Sequence, residues 1–224
     1  MNLILRLIRT VIAALLRPPL GVLDLSEVRF RVWPNDLDLN LHMNNGRYFT
    51  IMDLGRIDLM VRAGMARRAW REGWTVVVGS ETIQFRRPLR PFRAYTLKTR
   101  VLCWDERWVF LEQRFEAKGE LAALGLVKGM VIHDRRTLRP REVLKAMGLL
   151  RRSPPMPPAI KAWALAEEWT VEPRAGEPSE GEPAEGDDTL PPPPPPVTTE
   201  PSSTPETPLA KAWPRRFPRW RRRA

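Results

Sequence analysis

The stretch "NDLDLNLHMNNGRYFTIMDLGRIDLMVRAG", residues 35–64, decides the fold, because it joins a cluster of polar groups to a long apolar segment. Its first part holds two aspartates, several asparagines and one of the two histidines of the chain. From Tyr48 onward, apolar residues cover most of the circumference of a helix, which predicts burial on nearly all sides. Asn44 or Asn45 suits the N-cap of that helix, and Gly64 is a plausible stop signal.

The segments around this helix have the period of strands. "SEVRFRVWP" precedes the polar stretch, and four strand candidates follow from residue 74: "WTVVVGSETIQFRRPL", "AYTLKTRVLCW", "RWVFLEQRFEA" and "LAALGLVKGMVIHD". The short connections "DE" and "KGE" suit antiparallel hairpins. This order predicts an α+β domain over residues 21–150, in which an antiparallel sheet, with the last four strands as a meander, wraps around one long buried helix.

Residues 1–20 form a predicted amphipathic helix that ends at two prolines. Leucine, isoleucine and valine line one stripe, and Arg6, Arg9 and Arg17 lie on the other side. The apolar run is too short and too interrupted by arginine to span a bilayer. A signal peptide is disfavoured because Arg6 and Arg9 would fall inside its apolar core. Two interpretations remain, a helix packed on its own domain and a basic helix lying on an anionic membrane surface.

The composition changes after about residue 150. Eighteen of the 24 prolines lie between Pro154 and Pro218, acidic residues cluster from Glu167 to Asp188, and "KAWPRRFPRWRRRA" closes the chain. Such a segment buries too little apolar surface to fold alone. We therefore expect residues 151–224 to be a disordered tail, apart from a short helix at "AIKAWALAEEW". Its basic terminus can contact anionic lipid, or fold back on the acidic block of the tail itself.

Charge and cysteine content narrow the functional classes. The net charge is +11, but no nucleic-acid motif accompanies it, so no specific nucleic-acid partner is predicted. The single cysteine, Cys103, excludes an intrachain disulfide framework and fits a reducing, cytoplasmic compartment, with membrane association as a further option. No His/Cys cluster has zinc spacing, so neither a metal nor another cofactor is expected.

The polar stretch before the helix has two interpretations. A helix start presents free backbone N–H groups and a partial positive charge, which suits a developing oxyanion. A carboxylate and a histidine just upstream complete the set of groups that acyl transfer needs. Alternatively, "DLDLN" is an Asx-type turn that only caps the helix, with Asp36 exposed and His42 a linker residue.

The order of elements, together with "D-x-D-x-x-x-H-M-N-N-x-x-Y", resembles the hotdog-fold thioesterases of the 4-hydroxybenzoyl-CoA thioesterase-like branch. Within that branch the chain is most similar to the THEM6-like proteins, through "DLDLNLHMNNGRY" and "WDERWVFLEQRF". The resemblance covers residues 25 to 140 and implies an acyl-CoA or acyl-ACP thioesterase. It implies Asp38 as the catalytic carboxylate, with Asn40 and His42 as its partners. It also implies an oxyanion-holding backbone N–H near Asn45.

Several further residues follow from this resemblance. A CoA substrate carries phosphates, so cations are expected to contact it, and the candidates are Arg86, Arg87, Arg90 and Arg93. Each is equally a candidate for a solvated charge. Asp53 is a weaker candidate for a second acid or base, with pairing to Arg56 or Arg47 as the alternative. Leu41 stands where many relatives have glycine, which predicts a narrowed or reshaped acyl pocket.

Two rival functions share the predicted fold. Hotdog hydratases use a "D-x-N-x-x-H" dyad, and here His42 arrives one residue too early for that spacing. A non-catalytic scaffold that binds acyl thioesters is the other rival. In each case we expect a homodimer or homotetramer, because a single hotdog sheet leaves exposed edges that invite pairing.

Overall fold

The computed structural model describes residues 3–171, with side chains through Glu167. Its helices, numbered in chain order, are α1 (Leu3–Leu16), α2 (Asn45–Arg62), α3 (Met65–Glu72), α4 (Pro140–Ala146) and α5 (Pro158–Val171). Its strands are β1 (Ser26–Arg31), β2 (Thr75–Phe85), β3 (Ala94–Trp104), β4 (Val109–Ala117), β5 (Glu120–His133) and β6 (Arg136–Leu138). A 3₁₀ turn at Pro34–Asp36 lies between β1 and α2. The predicted α+β class is confirmed, while α3, α4 and β6 had no counterpart in the prediction.

The strands form one antiparallel sheet in the order β1-β3-β4-β5-β2, and β6 pairs with β5. The predicted hairpins β3–β4 and β4–β5 are confirmed. The predicted four-strand meander is wrong in one place, because β2 pairs with β5 and not with β3. Residues 86–93 connect β2 to β3. In the sheet, β4 and β5 lie between these two strands. A longer connection does not force its two strands to be neighbours, whereas a tight turn does.

Helix α2 lies against the sheet, as predicted. Among its residues Ile51 and Met52 are fully buried, and its inner side approaches β3 and β4 closely. A Cβ atom at Gly55 would lie 2.6 Å from side-chain atoms of Leu97 and Thr99, so these side chains would have to move to admit a larger residue. The buried Gln113 fills the remaining gap by donating to the Met52 carbonyl at 2.9 Å. Glycine at position 55 therefore lets α2 lie close to the sheet without displacing these side chains.

The two faces of the sheet are covered by different elements. Along β4, Phe115 packs in the core beneath α2, while Phe110 packs on the opposite side with Cys103 and with Ile160 of α5. Successive side chains of a strand point to opposite faces, which explains this division. The predicted short helix after residue 150 is thus present and packed, so the ordered chain extends beyond the predicted boundary at residue 150. Residues 172–224 of the predicted disordered tail lie outside the described residues.

Helix α1 packs beside α2 with its polar side inward. Arg6, Thr10 and Ala14 are buried, while most of the large apolar residues of the helix are exposed. Arg6 makes a buried ion pair with Asp36, which corrects the expectation that Asp36 is exposed. Packing on its own domain is therefore the interpretation that the structure shows. No helix within residues 3–171 is long and apolar enough to cross a membrane.

Candidate active site

The loop before α2 folds back on itself as a narrow hairpin. Leu37 and Met43 form an isolated antiparallel bridge, and the Asp38 N–H donates to the His42 carbonyl at 2.9 Å. The Leu41 N–H donates to the Asp38 carbonyl at 3.1 Å, which closes a tight turn over residues 38–41. To make this turn, Leu41 adopts a φ of 57°. That left-handed conformation is one that glycine adopts more readily than leucine.

Asp38 is held by the backbone of its own loop. Its Oδ1 atom accepts hydrogen bonds from the backbone N–H of Asn40 at 2.9 Å and of His42 at 3.2 Å. The carboxylate is half-buried. Among the residues that the structure describes, none donates a hydrogen bond to the other oxygen, Oδ2. The predicted group of Asp38, Asn40 and His42 is therefore in contact. The contacts are made by the backbone N–H groups of Asn40 and His42 and not by their side chains.

Helix α2 begins three residues after His42. Asn44 is the N-cap, as predicted, and its side-chain oxygen accepts from the Gly46 N–H at 2.9 Å. Its carbonyl accepts from the Arg47 N–H at 2.9 Å. Within residues 3–171, the N–H of Asn45 has no hydrogen-bond acceptor, and Asn45 is exposed. One free donor thus remains at the positive end of the helix, at the position predicted for oxyanion binding.

Asp36 anchors this loop to the rest of the domain. Its carboxylate pairs with Arg6 of α1, lies 3.9 Å from Nε of Arg47 and accepts from the Trp33 N–H at 2.8 Å. Its carbonyl accepts from the Asn44 N–H at 2.8 Å. Asp36 therefore joins α1, the loop and the helix cap. Sequence reasoning missed Arg6 as its partner, because a contact across thirty residues has no local signal.

Tyr48 is a site residue whose chemistry the sequence analysis did not assign. It lies one turn into α2, is 2% exposed and packs edge-on against Phe85 and Phe115, with ring centroids 5.0 and 4.9 Å away. Burial raises the pKa of Tyr48 to about 12, and the negative charge of Asp38 adds to this shift. A hydrogen bond with the backbone of Leu89 acts in the opposite direction. The phenol therefore stays neutral at physiological pH beside the candidate carboxylate. Tyr48 is the last residue of the motif "D-x-D-x-x-x-H-M-N-N-x-x-Y", and this position was the sequence feature that could have identified it.

An open depression of about 660 Å³ lies over this loop. Its lining residues are Pro34, Leu37, Asp38, Leu39, Asn40, Leu41 and Asn44. Leu39 and Leu41 are both exposed, on either side of Asn40. His42 and Asn45 do not line the depression. An apolar group placed here would contact two leucines and a carboxylate at once.

The predicted phosphate-binding arginines lie on the connection between β2 and β3, which runs beside the site loop. The Met43 N–H donates to the Leu89 carbonyl at 2.9 Å and joins the two segments. Arg87 pairs with Glu120 at 2.9 Å, and Arg86 donates to Gln84 at 2.8 Å. Of the other two, Arg90 is exposed and Arg93 is half-buried. Arg86 and Arg87 thus already have partners, and none of the four lines the depression.

Asp53 pairs with Arg56, as the alternative interpretation expected. Arg56 also pairs with Glu81 of β2 and donates to Gln113 at 2.9 Å. Burial raises the pKa of Glu81, Arg56 lowers it, and Asp53 raises it further. This cluster connects α2 to the sheet. Within residues 3–171, no group of three or more His, Cys, Asp or Glu side chains is arranged to hold a metal ion.

Comparison with known proteins places these features in a family. The model of the thioesterase-like superfamily matches residues 32–164. Protein THEM6 of Danio rerio is 40% identical over 119 residues, 51% of this chain and 58% of the relative. The probable thioesterase YBR096W of Saccharomyces cerevisiae is 29% identical over 119 residues, 52% of each chain. This chain spans about half the length of these curated relatives.

A solved structure supports the fold independently. The probable thioesterase YbaW of Escherichia coli superposes with a TM-score of 0.51 at 22% identity, covering 55% of this chain and 98% of that one. At this identity the likeness concerns the fold alone, and it confirms the predicted hotdog architecture. The family match begins directly after β1, ends within α5 and contains the whole loop around Asp38. The chain belongs to the thioesterase-like superfamily.

Proposed function

We propose that this protein hydrolyses an acyl thioester, with Asp38 as the reacting carboxylate. The observation that carries the proposal is the geometry at the start of α2. There, a carboxylate fixed through Oδ1 by two backbone N–H groups lies a few residues before a helix whose first N–H is free. Fixing one oxygen leaves the other available to a substrate or a water molecule. The family match supports this assignment.

The reaction needs a nucleophile or base, a stabilised oxyanion and a leaving thiol. Asp38 either attacks the thioester carbonyl or takes a proton from the water that attacks it. The carbonyl oxygen gains negative charge, which the Asn45 N–H and the helix dipole stabilise. If Asp38 acts as a base, the carbon–sulfur bond then breaks, and the thiolate takes up the proton that Asp38 removed from the water and leaves as free thiol. If Asp38 attacks directly, the thiolate leaves first and takes a proton from the solvent, and a water molecule then hydrolyses the anhydride formed with Asp38. The products are a carboxylic acid and a thiol, with one water molecule consumed.

We propose acyl-CoA as the preferred substrate, with acyl-ACP as the alternative. The two exposed leucines beside Asp38 offer an apolar contact for an acyl chain. The arginine-bearing connection runs beside the same loop, so its cations are within the same region as the entrance. Arg90 has neither the ion pair of Arg87 nor the hydrogen bond of Arg86, which makes it the first arginine to test for phosphate contact.

We also propose a homodimer that forms through β2. This strand lies at one end of the main strand order, is eleven residues long and pairs with β5 on one side only. Val76, Val78 and Phe85 on this strand are each at least 40% exposed. A long apolar edge strand is a template for pairing with another chain. A homotetramer would follow if two such dimers associate, and light scattering of the full chain distinguishes these assemblies.

The test is release of free thiol from acyl-CoA substrates over a range of chain lengths, and from acyl-ACP. Thiol release that saturates with substrate is the expected result. An enoyl substrate that loses its absorbance without thiol release would identify a hydratase instead. Tight binding of acyl-CoA without turnover would identify a scaffold. Either result overturns the hydrolase proposal.

A further inference from the structure

The outward side of α1 is an apolar surface. We define the outer face of α1 as Leu5, Ile8, Ile12, Leu15 and Leu16. These side chains range from 49% exposed at Ile8 to 81% exposed at Leu16. They recur at spacings of three and four, which places them on one side of the helix. A contiguous apolar surface of this kind marks an interaction site more often than isolated exposed residues do.

Ion pairs to two buried aspartates hold this face outward. Arg6 points inward to Asp36, and Arg17 lies 3.3 Å from Asp58, whose side chain is buried. Asp58 also accepts from the Ser26 hydroxyl at 2.6 Å. Turning the helix to bury its outer face would separate Arg6 from Asp36, which is strongly unfavourable because both side chains are buried. Asp58 would keep its contact with Arg62 at 3.4 Å. The exposure of the outer face is therefore built into the packing of the domain.

The surroundings of the outer face are cationic. Helix α1 contains two arginines and no acidic residue. Arg9 is exposed at the edge of the outer face and donates to the Arg29 carbonyl at 3.1 Å. Arg29 and Arg31 of the neighbouring β1 are also exposed. An apolar helix face bordered by arginines matches the chemistry of an anionic bilayer surface.

The dimensions of the outer face favour a membrane over a second copy of the chain. A helix of 14 residues is about 21 Å long, and a face about 10 Å wide then covers on the order of 200 Å². A stable protein interface needs about 800 Å² from each partner. The same length is below the roughly 20 residues that span a bilayer. We propose that the outer face of α1 docks on an anionic lipid bilayer, with the helix lying parallel to the membrane surface.

The test measures co-sedimentation of the full chain with phosphatidylcholine vesicles that contain or lack phosphatidylglycerol. We expect binding to the anionic vesicles. Ile8→Gln combined with Ile12→Gln should weaken that binding roughly tenfold or more, because two large apolar side chains are lost from the contact. Arg9→Gln should weaken it about fivefold. The matched control is Leu150→Gln with Leu165→Gln, which removes two exposed leucines elsewhere and should leave binding unchanged.

Three outcomes would overturn the proposal. The first is no binding of the wild type to anionic vesicles, and the second is equal binding by the Ile8 and Ile12 variant. The third is a smaller oligomer for that variant in light scattering, which would assign the outer face to contact between copies. Thermal melts of each variant show whether the domain stays folded, and the test does not depend on catalytic activity.

Discussion

Asp36 and Asp38 lie two residues apart in the same loop and have opposite surroundings. Asp36 is 1% exposed and pairs with Arg6, which belongs to a different helix. Asp38 is half-buried, and within residues 3–171 its carboxylate accepts hydrogen bonds from two backbone N–H groups of its own loop and from no other group. The first carboxylate is neutralised by a fixed partner, while the second keeps one oxygen free. The two aspartates therefore differ in role because their contacts differ. Asp36 is structural, and Asp38 is the candidate for chemistry.

The largest expected effect is on activity at Asp38. Asp38→Asn keeps the size of the side chain and removes the nucleophile or base, so thiol release should fall by about 10²- to 10⁴-fold. The measurement is the thiol-release rate with the preferred acyl-CoA, accompanied by a thermal melt.

Asp105 provides the matched control for this substitution. Its Oδ1 atom accepts from the backbone N–H of Arg107 at 2.7 Å and of Trp108 at 2.6 Å, in the turn between β3 and β4. Asp105→Asn therefore disturbs the same kind of turn without touching the start of α2. Near wild-type thiol release by a folded Asp38→Asn protein would remove Asp38 from the mechanism and leave it as a helix-capping residue.

The next largest effect is on stability at Asp36. Asp36→Asn or Arg6→Gln leaves a buried charge without its partner, which should cost about 3–5 kcal/mol in the free energy of unfolding. Chemical denaturation of each variant measures this cost. The double variant should cost less than the sum of the two single variants, because no unpaired charge remains. Additive costs would show that Arg6 and Asp36 contribute independently.

The third effect is a loss of stability at high pH from Tyr48. Its pKa is about 12 in the folded protein against 10.0 in a model compound, so folding favours the protonated phenol. The corresponding stability is fully present below pH 10 and is lost as the pH rises from 10 to 12. Two pKa units correspond to about 2–3 kcal/mol.

Urea denaturation between pH 9 and 11.5 measures this loss. Tyr48→Phe should flatten the decline, and burial also raises the pKa of Tyr95, so part of the decline should remain. A decline that is unchanged in Tyr48→Phe would assign it to other groups.

The smallest effect is expected at Leu41. Its φ of 57° is unfavourable for a leucine, so Leu41→Gly should stabilise the protein by up to about 1 kcal/mol. Leu39 is fully exposed and has no positive φ, so Leu39→Gly is the control and should destabilise by about 0.5–1 kcal/mol. Equal changes in thermal stability for the two variants would show that the turn is not strained at Leu41.

Patterns within one segment were sufficient for much of this molecule. The apolar circumference of α2, its Asn44 cap and the period of β2 to β5 all predicted the elements that the structure shows. The crowding of Asp38, Asn40 and His42 just before a helix start predicted where the candidate site lies. These features depend on contacts within a few residues, so the sequence alone determined them.

Only the tertiary structure decided the partners that come from distant segments. It placed β2 beside β5 and not β3, since an eight-residue connection leaves the choice of neighbour open. It turned Arg6 of α1 inward and brought Arg17, which directly follows α1, to Asp58, because Asp36 and Asp58 are buried acids that require cations, and this left the apolar side exposed. It also separated Asp36 from Asp38, because which carboxylate meets Arg6 depends on how α1 packs. Long-range ion pairs and strand order carry no periodic signal, so folding in three dimensions determines them.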